Sequence, residues 1–103
     1  MKPVLVRKPT TEEEALLKAQ PTWEHEPEKW RDTYDEREET CLVIEGKAYV
    51  ETLGGEKYYF GVGDLVTFQP GLECWWCVEE KIKKHYIFNL GYTCRYTCIR
   101  IQI

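Results

Sequence analysis

The sequence has no apolar run near the roughly 20 residues that a membrane-spanning helix needs. Nor does it have a basic face. The formal charge is −4, the acids crowd the first forty residues, and Lys81, Lys83 and Lys84 form the one basic cluster. A nucleic-acid binder would show the opposite balance, so membrane and nucleic acid drop out as partners. Met1 to Pro9 lacks the apolar core of a secretory signal. The five cysteines are an odd number, which fits a fully paired disulfide framework poorly. Reduced thiols in the cytoplasm are the expectation. No internal repeat and no low-complexity segment stands out.

What the chain does have is aromatic residues: four Trp, seven Tyr and three Phe. These side chains bury large apolar areas and suit strands. A length of 103 residues makes one domain with one core. Val4 to Val6 reads as a first strand. Thr10 and Thr11 ahead of three glutamates read as a capped helix start, and Pro21 as its end. Short strands then follow at even spacing: Trp23 to Glu26, Trp30 to Tyr34, Glu39 to Glu45 stopped by Gly46, and Lys47 to Thr52. Leu53-Gly54-Gly55 signals a hairpin, and Glu56 to Phe60, Leu65 to Phe68, Leu72 to Val78 and Lys81 to Phe88 complete the set. This pattern predicts an all-β sandwich or barrel with one short N-terminal helix.

Two segments share a grammar: Glu39-Thr-Cys-Leu-Val-Ile-Glu-Gly46 and Gly63-Asp-Leu-Val-Thr-Phe-Gln-Pro-Gly71. Together they resemble the paired motifs of the cupin superfamily. With Trp23-Glu24, Trp76 and Lys84-His85-Tyr86 added, the chain is similar to the small cupins related to the ethanolamine-utilisation cupin. The resemblance implies a small double-stranded β-helix, a jelly-roll-like barrel, over residues 1–88. Residues 89–103 have no counterpart and would be an extension or one more strand. A homodimer is implied by the resemblance alone.

Metal-binding cupins carry histidines ahead of the first-motif glutamate and after the second-motif glycine. Here those positions hold Asp32, Thr33, Tyr34 and Asp35, then Cys74. Glu39 is what survives, and one carboxylate with one thiol matches the usual imidazole-rich set poorly. A divalent transition metal would have to use Asp35, Glu39 and Cys74.

Alternation along strands places Glu39 with Cys41 and Val43, Cys74 with Trp76 and Val78, and Ile82 with Lys84, Tyr86 and Phe88. If these faces point inward, Glu39 and Lys84 share one cavity and pair there, because a buried lysine needs a partner. A single bulge would reverse the faces, and Lys84 would then reach solvent. The expected ligand site is therefore Tyr34, Glu39, Cys74, Trp76, Lys84 and Tyr86, around a small polar metabolite. Trp23, Trp30, Tyr34 and Trp76 either line the mouth or fill the core, the default for aromatics. Cys74-Trp-Trp-Cys77 with Cys94 and Cys98 invites a zinc reading, but the first pair lies within a strand and its sulfurs diverge, so core thiols are expected. His25 and His85 read as surface or hydrogen-bonding residues. The residues single out no catalytic set. Besides metabolite binding, a metal-dependent enzyme and an interaction module with a plugged barrel stay open.

Overall fold

The computed structural model describes residues 2–90. The elements run β1 (Val4–Arg7), α1 (Thr11–Lys18), β2 (Thr22–His25), β3 (Glu28–Thr33), β4 (Glu39–Thr52), β5 (Lys57–Gly61), β6 (Leu65–Phe68) and β7 (Glu73–Phe88). The expectations for the tail, including Cys94 and Cys98, lie outside the described residues.

The helix starts as its sequence directs. Thr10 Oγ1 accepts from the Glu13 amide at 3.1 Å, and the Thr10 amide donates to Glu13 Oε1 at 2.8 Å. These two bonds satisfy donors that the first turn leaves free. Leu17 anchors the helix by packing on Leu42 and Leu65.

The strands form one antiparallel system in which β4 and β7 are the spine. One half runs β1-β6-β4-β7-β2. The other uses the far ends of the same two strands, with β5 on β4 and β3 on β7. Folding these halves against each other makes the barrel. Its interior packs Cys41, Val43, Ala48, Val50, Phe60, Phe68, Cys74, Trp76 and Ile82, among others. Burying an aromatic side chain of this size contributes on the order of 2 kcal/mol.

The one marked departure from the sequence reading concerns Gly46. It does not stop a strand. β4 runs for 14 residues through it, and β7 likewise runs unbroken for 16. The β4–β7 register shifts between Val43 and Ala48, which marks a bulge. Gly46 takes φ of 78°, and a Cβ there would lie 2.1 Å from the Lys81 carbonyl oxygen. Only glycine gives both the positive φ and the close approach. The bulge changes which residues face inward: Cys41 and Val43 before it, Ala48 and Val50 after it.

Candidate functional site

Glu39 precedes the bulge, and on β7 Cys74, Trp76 and Val78 before the exposed run Glu79 to Lys81, and Ile82 and Lys84 after it, are buried with the same parity. The structure therefore brings Glu39 and Lys84 together inside the barrel. Lys84 Nζ donates to Glu39 Oε2 at 2.7 Å, with side chains 6% and 12% exposed respectively. Asn89 steadies the start of β4. Its amide donates to the Glu38 carbonyl at 2.7 Å, and its side-chain oxygen accepts from the Glu38 amide at 3.2 Å.

Around the pair lies a cavity of about 410 Å³. Trp23 on β2, Trp30 and Asp32 on β3, and Trp76 on β7 form part of its wall, with Tyr34, Tyr86, Phe88 and Arg37. The register of β3 on β7 sets Trp30 opposite Trp76 and Asp32 opposite Cys74. The Trp30 and Trp76 rings lie nearly parallel, 5.8 Å apart. Trp23 stands 5.9 Å from Trp76 and 6.1 Å from Trp30. Trp76 Nε1 donates to the Tyr34 hydroxyl at 2.9 Å. The Lys84 ammonium lies 5.0 Å from the Trp76 ring and 5.1 Å from the Trp23 ring, within cation–π range.

Burial opposes the charge on Lys84, yet the Cys41, Glu39 and Asp32 charges and the bond to Glu39 outweigh it, and the pKa is raised. Burial pushes the Cys41 thiol itself up to about 11, so near pH 7 it is neutral and Glu39 is the effective partner. Lys84 is thus an ammonium, a hydrogen-bond donor and not a nucleophile. Burial, reinforced by the Glu39 charge, also raises the Tyr34 pKa and keeps it a neutral phenol. Asp32 titrates above its ordinary range, first through burial and further through Glu39, against the opposing Thr33 amide and Lys84 charge.

Of the residues expected at the site, Tyr34, Glu39, Trp76, Lys84 and Tyr86 line the cavity. Cys74 does not; it shares the inward face but is fully buried in the apolar cluster. Asp35 borders the cavity with its carboxylate bonded to Arg37 Nη2 at 2.8 Å, which holds its pKa low. Asp35, Glu39 and Cys74 therefore do not converge on a metal. Among the described residues no group of three His, Cys, Asp or Glu side chains is arranged to hold one. The donors fit a metal badly too, since Asp35 and Glu39 are engaged with cations and burial pushes the Cys74 thiol up to about 12, whereas ligation needs the thiolate. The zinc reading fails for the described pair as well, because Cys74 is buried and Cys77, on the other face of β7, is partly exposed. His85 Nδ1 is bonded to the Gln20 carbonyl, and His25 stacks on Trp23 and Trp30.

Asp32 and Arg37 are cavity residues that the alternation argument does not select, whereas Phe88 lies on the face it assigned with Lys84 and Tyr86. Trp23 and Trp30 do both: they line the cavity and pack, partly buried, against the core cluster. The signal for Asp32 was present in its spacing of two from both Trp30 and Tyr34.

A bent antiparallel barrel with its cavity between β2, β3, β4 and β7 defines a cupin. Residues 12–86 match the family model of the EutQ-like cupin domain, and the chain belongs to that family. It is similar to a DUF861 family protein from Thermotoga maritima, with 42% identity and a TM-score of 0.75, over 82% of this chain and 98% of that one. Its fold is also similar to the EutQ protein of Clostridium difficile, at 19% identity and a TM-score of 0.59, over 82% of this chain and 66% of that one. A putative ethanolamine utilization protein Q from Salmonella typhimurium gives 17% identity and a TM-score of 0.59, over 82% and 68% of the two chains. No curated protein matches the chain.

Proposed function

We propose that this protein binds a small polar metabolite inside the barrel, at a site built around the Lys84–Glu39 ion pair and not around a metal. The observation that carries this reading is the placement of that pair against a cavity of about 410 Å³. A desolvated ion pair is a costly way to fill a core, because apolar residues of the same volume serve stability as well or better. Its position against an open cavity with aromatic walls gives the charges a use, since ligand pockets combine apolar walls with a few fixed polar groups. The cavity also weighs against a plugged barrel serving as an interaction module.

The test is a thermal-shift screen of the full chain against anionic, neutral and cationic metabolites. A ligand at about 100 times its Kd stabilises the native state by about 2.7 kcal/mol. The binder should shift the wild type and fail to shift Glu39→Gln or Lys84→Met. A screen with no shift from any class would defeat the reading. So would stoichiometric transition metal in the purified protein that is lost in Glu39→Gln. The reading includes a homodimer in the cytoplasm. Exposed Tyr59 and Val62 on and after β5 offer apolar surface for pairing, and sedimentation analysis decides it.

A further inference from the structure

Two acids of the cavity have protein partners: Asp35 is bonded to Arg37 and Glu39 to Lys84. Asp32 is different. Its Oδ1 accepts from the Thr33 amide at 2.9 Å, and among the described residues no lysine, arginine or histidine pairs with it. Among the described residues no side-chain oxygen is both buried and unpartnered, so the remaining Asp32 oxygen is not sealed from solvent, and Asp32 is part of the cavity wall. The charged lining, Asp32, Asp35 and Glu39 against Arg37 and Lys84, thus has one acid in excess.

We propose that Asp32 is the counter-ion of a cation subsite, so that the ligand carries a protonated amine seated against Asp32, beside Trp30 in the cavity wall. This rests on the reading of the cavity as a ligand site. Trp30 and Asp32 are two apart on β3 and both contribute to the cavity wall, so one group can lie against the aromatic wall and a carboxylate at once. The same wall already accommodates an ammonium, that of Lys84, beside Trp23 and Trp76. Glu39 neutralises that first charge, which leaves Asp32 to balance a second. Burial keeps the Asp32 carboxyl above its ordinary range, and a bound cation would favour its ionised form. An anionic ligand would instead have to sit against the Asp32 carboxylate, which has no ion-pair partner among the described residues.

The test compares three probes with one carbon skeleton, butylammonium, 1-butanol and butyrate, titrated into the full chain. The indole N–H signals of Trp23, Trp30 and Trp76 are followed by NMR. Butylammonium should perturb these signals saturably and bind at least about tenfold more tightly than butanol, the scale of one charge-assisted hydrogen bond. Butyrate should bind more weakly than butanol. In Asp32→Asn the preference for the amine should shrink to about twofold or less. Equal binding of amine and alcohol, tighter binding of butyrate, no binding of the amine, or an undiminished preference in Asp32→Asn would each overturn the subsite. If that variant does not fold, the wild-type ranking alone decides. A subsite that fails while the metabolite screen finds a neutral or anionic binder leaves the wider reading standing.

Discussion

At the scale of single residues, Lys84 and Glu39 dominate. Removing one partner strands the other charge in a low-dielectric interior. Lys84→Met or Glu39→Leu alone should each cost about 3–5 kcal/mol in urea denaturation, whereas the double replacement should return close to the wild type. A double variant as unstable as the sum of the singles would mean the two residues do not act as a pair. The raised Lys84 pKa gives a sign as well. Folding favours the ammonium, so its contribution is complete below the ordinary lysine value and is lost as pH climbs through the higher folded value. Alkaline melting curves should therefore fall more steeply for the wild type than for the double variant. This pair was legible in the sequence because β7 has the same inward parity on both sides of the exposed Glu79 to Lys81 run and Glu39 precedes the β4 bulge. Cys74 was misjudged for a different reason. Alternation says which face a side chain takes, not how deep it lies, and Cys74 is sealed within the apolar cluster.

At the scale of elements, the bulge at Gly46 and the cap of α1 make separable claims. Gly46→Ala meets the Lys81 and Glu80 carbonyl oxygens and also forces alanine into positive φ. The conformation alone costs about 1–2 kcal/mol, with the backbone clash added. Gly55→Ala, at φ 93° with open space around it, should show the conformational part only. Comparing their urea midpoints isolates the steric contribution, and equal losses would refute the close approach. In α1, the hydrogen bond from Arg7, helped by the Thr10 amide, holds the Glu13 carboxyl at about 2 instead of 4.5. Its stabilisation is present above the ordinary value and fades as pH falls toward the lower one. The exposed setting limits it to about 1 kcal/mol or less. Wild type and Glu13→Gln should therefore converge in melting temperature across that acid window. The sequence showed where most strands lie but not their continuity, because a glycine that ends a strand and one that kinks it look alike. It also hid the pairing of β2 and β3 with β7, which is what carries Trp23, Trp30 and Asp32 to the cavity.

At the scale of the whole molecule, the two glycine-bearing motifs and the evenly spaced strands were enough to identify the family, since barrel closure follows from many weak local signals that agree. What they could not convey was how the two halves depend on each other. β4 and β7 belong to both halves and pair with each other from Glu39–Phe88 to Thr52–Cys74. Neither half can open without fraying a strand that the other half needs. Amide hydrogen exchange should therefore find one shared opening free energy for β4 and β7 on both sides of Gly46, close to that of global unfolding. Distinct values on the two sides would show two units. The edge strands β2 and β3, each held through β7, should exchange by smaller openings. They carry Trp23, Trp30 and Asp32, so the cavity is walled on one side by a slow framework and on the other by a faster one. A ligand could thus enter by local breathing of the rim while the Lys84–Glu39 floor stays closed to solvent.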